Sequence, residues 1–162
     1  LRRTLGCTAY YHDGGTQTLS DGVWSKVEND AAGASTDETM IPTGISTLYD
    51  AVNDRFVLIG LNVGDNLELT IDAQVSGTTN NVELDLKLFW QLKDDADVNT
   101  TTFEMLKTMP ELKKSTKTYE IYETFDIHIE TQNHANGYIE FRMLTDDGDA
   151  TLTVNSFRVL KK

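Results

Sequence analysis

The groups in this chain that could do chemistry are three histidines, one cysteine and a surplus of carboxylates, 26 Asp and Glu against 14 Lys and Arg. His12, His128 and His134 stand in no HxH or HExxH spacing, and Cys7 is not set among histidines at metal-ligand spacing, so no zinc site is expected. GxSxG, P-loop and GxGxxG motifs are absent from the sequence, and nothing around Cys7 marks a catalytic thiol. A glycosidase needs only two carboxylates placed across a cleft. Their abundance here selects no pair. The expectation is a protein that is not an enzyme, with no catalytic residue, no metal and no cofactor. Two acidic turns, Asp94-Asp95-Ala96-Asp97 and Asp146-Asp147-Gly148-Asp149, gather oxygen ligands of the kind calcium accepts. Neither matches an EF-hand loop, and a solvated polar turn is the simpler reading. Asn99-Thr100-Thr101 is a glycosylation triplet, which matters only in a eukaryotic secretory setting.

The elements that would position these groups are strands. Residues 67–75 place Leu67, Leu69, Ile71, Ala73 and Val75 against Glu68, Thr70, Asp72 and Gln74. Residues 82–90 repeat the pattern with Val82, Leu84, Leu86, Leu88 and Trp90 against Glu83, Asp85 and Lys87. Successive side chains of a strand point to opposite faces, so each run is a strand with one buried face. The Ser76-Gly77-Thr78-Thr79-Asn80-Asn81 stretch between them predicts a long antiparallel hairpin. Its apolar side must lie on a second sheet, which gives half of a β-sandwich.

Length, composition and charge bound what that sandwich can be. A chain of 162 residues and 18.1 kDa suits one domain, and at that size roughly 70% of the unfolded surface is buried. One cysteine excludes an internal disulfide. A net charge of -12 and a pI near 4.5 disfavour a phosphate backbone as partner. No run of about 18 apolar residues occurs, and no basic-then-apolar leader precedes the first strand, so a soluble protein is expected. The first residue is Leu1, as in a processed product or a segment of something longer.

Taken in order, residues 1–15 read as an N-terminal arm ahead of a single sandwich domain at 16–162. Arg2 and Arg3 put positive charge at the end of an acidic chain, and Tyr10-Tyr11 precedes Asp13-Gly14-Gly15. These four residues are the candidate partner contacts, and removal of residues 1–13 is expected to leave the sandwich folded. Short strands are expected at 16–19 and 23–27, with Trp24 a core anchor, then a long loop over 29–47. Residues 56–61 are a nearly continuous apolar run, expected as a central strand covered on both faces. That coverage invites a neighbouring subunit. Phe103, Leu106 and Met109 at three-residue steps hint at a turn of helix within 94–118, a region read as loop, short strand or helical turn, then loop. Alternation resumes at 119–129 and 139–143. In the last strand it slips after Val154 to Phe157 and Val159, which predicts a β-bulge near Asn155-Ser156. The fold class is therefore all-β, an antiparallel sandwich of the jelly-roll or Greek-key kind.

Gly22-Val23-Trp24 with Asn29-Asp30, the run 56–61, Val63-Gly64-Asp65 feeding residues 67–75, and Val154-Asn155-Ser156-Phe157-Arg158-Val159 carry a resemblance. Together they resemble the jelly-roll domains of bacteriophage virion proteins: head decoration or cement proteins, head fibres and tail-fibre tips. Thr70 and Asp72 stand where many members of that group have an arginine. The resemblance implies a relationship to TNF-like and C1q-like sandwiches and assembly as a homotrimer. It also implies a non-enzymatic role on the outer surface of a phage capsid, with the major capsid protein or another virion protein as partner. Neither nucleic acid nor membrane is expected as a partner. The competing expectation is a carbohydrate-binding or receptor-binding module, in which exposed rings stack on sugars. Tyr122 and Tyr138 fall on the polar faces of their strands and are the platform candidates, with Tyr11, Phe89 and Trp90 behind them.

Overall fold

The computed structural model describes residues 7–162. In chain order these residues form β1 (Cys7–Tyr11), β2 (Gln17–Leu19), β3 (Ser25–Lys26), β4 (Tyr49–Asp50), β5 (Arg55–Val57), β6 (Asn66–Gly77), β7 (Glu83–Lys93), β8 (Asn99–Thr108), β9 (Tyr119–His128), α1 (Gln132–Asn136), β10 (Tyr138–Asp146) and β11 (Ala150–Lys161). One sheet runs β1-β11-β6-β9, with β2 also on β11. The other runs β4-β5-β10-β7-β8, with β3 on β10. The named strands pair antiparallel throughout. The result is the antiparallel sandwich that alternation demands.

The two most regular strands bury the faces their patterns assign, with Leu67, Leu69, Ile71, Ala73 and Val75 at most 1% exposed and Leu84, Leu86, Leu88 and Trp90 at most 3%. They are not a hairpin. β6 lies between β11 and β9, whereas β7 lies between β10 and β8 in the opposite sheet. Alternation fixes which face is buried but says nothing about the lateral partner. Residues 78–82 cross from one sheet to the other, aided by Asn81 at φ 61° and by Thr78 N donating to Asp149 O. The apolar faces of β6 and β7 thus meet across the core.

Three other expectations are corrected. Within 56–61 only Phe56 and Val57 are strand; Leu58 and Leu61 are buried, Ile59 is 63% exposed, and Gly60 turns the chain at φ 101°. The run is a strand end and a turn rather than a two-sided central strand, so it gives no reason for a neighbouring subunit. In 94–118 the helical spacing gives way to a ten-residue strand, β8. Its β-branched Thr100, Thr101 and Thr102 favour extended backbone, and register with β7 supplies the hydrogen bonds. At the N-terminus, β1 pairs residues 7–11 with residues 156–160 of β11 where an arm was expected. Arg2 and Arg3 lie outside the described residues. The bulge, by contrast, falls where the slip in pattern puts it, between Val154 and Ser156.

An aromatic cluster sits at the centre of the core. Tyr49 lies 5.3 Å from Tyr10, 5.2 Å from Phe56 and 5.4 Å from Phe157, and Phe141 lies 5.1 Å from Phe157. Phe56, Tyr49 and Phe141 come from one sheet, Tyr10 and Phe157 from the other. Tyr10 is 2% exposed; its hydroxyl donates to Glu38 Oε1 at 2.7 Å and accepts from Leu48 N at 3.1 Å. Tyr10 therefore ties β1 to the 29–48 loop. Gly137, between α1 and β10, is required on space alone, because a Cβ there would strike the backbone of Gln91.

Tyr10→Ala is expected to cost about 3–5 kcal/mol, in the range of large-to-small core changes, measured by denaturant unfolding. Burial, reinforced by the bond to Glu38, pushes the Tyr10 hydroxyl above its ordinary pKa of 10.0, and burial, reinforced by the charge of Asp54, does the same for Tyr49. A raised folded-state pKa means full stability below the unfolded value and loss as pH climbs past it. The melting temperature is therefore expected to fall steeply above about pH 10. Tyr49→Phe is expected to flatten that fall; an identical fall in the variant would contradict the assignment.

Candidate functional site

The two sheets do not close equally on both sides. On one side the 29–48 loop and β1 cover the core through Tyr10, Leu48 and Asn29, whose Nδ2 donates to Tyr10 O at 2.9 Å. On the other side the edges are β8 and β9, each paired along one flank only. Lys107 joins them. From the inner face of β8 its Nζ reaches Glu123 Oε2 at 3.0 Å and Thr124 O at 2.7 Å, and it lies 4.7 Å from the Phe125 ring centre. A charge pointing inward from an edge strand discourages indiscriminate strand addition on that face.

Lys107 divides this open side into two clefts. The first, of about 290 Å³, is lined by Trp90, Phe103, Met105, Ile127, His128 and His134 with Asp126 and Glu130 at its rim. His134 packs 4.8 Å from Trp90, and its Nδ1 shares a 2.7 Å hydrogen bond with Thr131 Oγ1. His128 Nδ1 is 2.7 Å from Asn66 Oδ1. The second cleft, of about 320 Å³, is bounded by Leu84, Met109, Leu112, Tyr119 and Tyr122. Both combine apolar side chains with carboxylates, Asp126 and Glu130 in the first and Glu120 and Glu123 in the second.

The free edge of β8 has a defined polarity. Met109 N donates to Leu84 O on β7, and in an antiparallel ladder alternate residues turn both backbone groups the same way. The N–H and C=O groups of Thr102, Glu104, Leu106 and Thr108 therefore face the open edge. Beside them Val98, Phe103 and Leu106 are 56%, 51% and 61% exposed.

The residues singled out by sequence do not assemble into one site. Tyr10 is in the core, which removes it as a surface contact. Tyr11 is half-buried, its hydroxyl accepting from Arg158 Nη2 at 3.3 Å. Tyr122 is exposed on β9, whereas Tyr138 is on β10 in the other sheet, with Arg55 4.6 Å over its ring and Lys93 at 5.9 Å. They form no common platform. Register also settles the neighbouring aromatics: Trp90 faces the core at 3% exposure, and Phe89 faces outward under Arg142, 3.7 Å from its ring centre. Trp24 is half-buried beneath Lys87 at 4.2 Å, a cover for the outer face of the sheet rather than part of the core. Lys87 itself bonds Glu104 at 3.0 Å.

The acidic turns use their carboxylates locally. Asp94 Oδ1 accepts from Ala96 N and Val98 N, Asp97 bonds Lys93, and Asp149 Oδ1 accepts from Asp21 N. His12, Asp13 and Asp30 gather possible ligand atoms within 4.8 Å of one another. There too His12 Nδ1 accepts from Gly14 N and Gly15 N, and Asp30 Oδ1 from Asp13 N and Ala32 N. The free edge of β8 was missed by sequence reasoning because its residues match a helical step; the threonine run was the signal that could have found it.

No family model matches the sequence, and no curated protein does. Solved structures of similar fold include two that superpose over nearly the whole chain. Eiger TNF from S. frugiperda superposes with a TM-score of 0.55 at 10% identity, covering 99% of this chain and 93% of that one. A chain of infectious bursal disease virus, Gt strain, superposes at 0.51 and 5% identity, covering 98% of this chain and 32% of that one. The chain thus spans about a third of the virus chain. At such identities the likeness is one of fold, a TNF-like jelly-roll sandwich.

Tyr122→Ala is expected to change stability by no more than about 0.5 kcal/mol, as for an idle surface residue. Tyr138→Ala is expected to cost about 1 kcal/mol through loss of its cation contacts. Paired denaturant melts check both, and equal small effects would show that the ring of Tyr138 is also idle.

Proposed function

We propose that this chain is a non-enzymatic virion structural protein of a bacteriophage, a capsid decoration or head-fibre subunit on the outer capsid surface. It works as a homotrimer or another symmetric oligomer. Its mechanism is adhesion: many weak contacts, repeated by symmetry, give an avidity that no single contact has. The observation that carries this reading is the open side, where two ten-residue strand edges and the exposed Val98, Phe103, Leu106 and Tyr122 stand clear of a core already closed by the sheets. Exposed apolar groups on a strand edge are a hazard for a free monomer and a resource for a subunit. The fold, shared with a virus chain, supports the same class of role, and the acidic surface favours solubility at high local density.

The carbohydrate-binding reading now rests on Tyr122 alone, an exposed ring beside a cleft with Glu120 and Glu123 on its border. The purified protein is expected to co-sediment with empty phage capsids at micromolar concentration, unaffected by added saccharide. Failure to bind shells, together with a glycan ligand that is lost in a folded Tyr122→Ala variant, would replace this reading with the lectin-like one.

A further inference from the structure

The segments on either side of β8 carry opposite charge. Asp94, Asp95 and Asp97 precede it, Asp97 already paired with Lys93 so that Asp94 and Asp95 carry the surplus; Lys113, Lys114 and Lys117 follow it, all three exposed. Most basic side chains among the described residues have a carboxylate in reach: Arg55, Lys87, Lys93, Lys107, Arg142, Lys161 and Lys162 all form ion pairs. Lys113, Lys114 and Lys117 do not. Three lysines without a carboxylate partner, Lys117 resting 5.0 Å over the Tyr119 ring, leave a positive pole at one end of the edge strand and a negative pole at the other, on a chain of net charge -12.

The edge between those poles is long and open. A register irregularity between Gln91 and Lys93 disturbs the Asn99 end of β8. From Thr102 to Thr108 pairing with β7 is regular, no proline interrupts the strand, and outward backbone groups recur at every second residue. Strands of this kind pair with other strands unless something blunts them. The inner face is already tied off by Lys107 and Glu123, so addition in the plane of the sheet is what remains.

We infer that the occupant of this edge is a second copy of the same chain, whose β8 pairs antiparallel with this β8 about a two-fold axis. Antiparallel pairing reverses the ends. Each Lys113–Lys117 pole then meets the other copy's Asp94–Asp97 pole, and this happens twice in one interface. Parallel addition would set lysine against lysine and aspartate against aspartate. A two-fold axis perpendicular to the sheet requires the facing residues to lie on one face. The register that places Thr102 opposite Thr108 and Glu104 opposite Leu106 meets that requirement, uses the outward backbone groups, and keeps the two Glu104 side chains apart. The six-stranded sheet becomes continuous across both copies. This inference rests on the symmetric-oligomer reading above, and within it selects two-fold over three-fold closure.

The test is the mass of the full chain by light scattering across concentration and salt. A dimer that loosens at high salt is expected. Leu106→Pro removes no hydrogen bond within the chain, because the Leu106 N–H faces away from β7. It is expected to keep the melting temperature within a few degrees while weakening dimerisation at least about tenfold. Lys113→Glu with Lys114→Glu is expected to weaken it comparably, and adding Asp95→Lys is expected to restore part of the loss. A trimer, or a dimer indifferent to both sets of changes, overturns this interface and leaves the symmetric-oligomer reading standing. A monomer at about 100 μM, well above the micromolar affinities of ordinary weak complexes, overturns both; sedimentation with capsids then judges the attachment role separately.

Discussion

Everything in this molecule depends on one contact, the apolar face of β6 against the apolar face of β7 across the sandwich. Each strand supplies at least four near-fully buried aliphatic or aromatic side chains on a strict two-residue period. Neither strand could be stable alone, since its apolar row would face water. Put together, they set the spacing of the sheets and the placement of their neighbours β11, β9, β10 and β8, whose own Phe141 and Phe157 stack beside them. Burial of a Phe or Leu side chain contributes on the order of 1.5–3 kcal/mol, so these rows contribute a large share of the burial, beside the aromatic cluster carried by their neighbours. Polar contacts such as the Lys107–Glu123 bridge then align edges that the core has already brought near.

A sandwich built on a central contact has two flanks, and here they differ in kind. One flank is sealed by the 29–48 loop, which hooks onto β1 through Tyr10, Glu38 and Asn29. The other is left with two strand edges, a bridging lysine and exposed apolar side chains. The sealed side adds burial to the core, while the other side leaves strand edges and apolar side chains exposed. The proposed assembly role rests on that asymmetry, and the charge at the ends of β8 would give the open flank a direction.

How much of this the sequence discloses follows from what alternation encodes. It names buried faces correctly in β6, β7, β9, β10 and β11, and its slip locates the bulge at Val154 and Ser156. It is silent on lateral pairing, so β6 and β7 look like a hairpin although they belong to opposite sheets. It misreads Phe56 to Leu61, because a turn that buries Leu58 and Leu61 and exposes Ile59 is as apolar as a central strand. It leaves β8 undecided between short strand and helical turn, since an edge strand with both faces largely exposed needs no alternation at all. The candidate site was illegible for the same reason: Tyr10 looks like a surface aromatic until its hydroxyl is found between Glu38 and Leu48, and Tyr122 and Tyr138 look paired until the two sheets separate them.

The most direct measurement is residue-resolved amide hydrogen exchange at two protein concentrations. In β8 the amides of Phe103, Met105 and Lys107, which face β7, are expected to be protected at both. The amides of Thr102, Glu104, Leu106 and Thr108 are expected to exchange freely when dilute and to become protected when concentrated, as a second β8 takes up their hydrogen bonds. Free exchange of those four at every concentration at which the protein is associated would contradict strand addition at this edge.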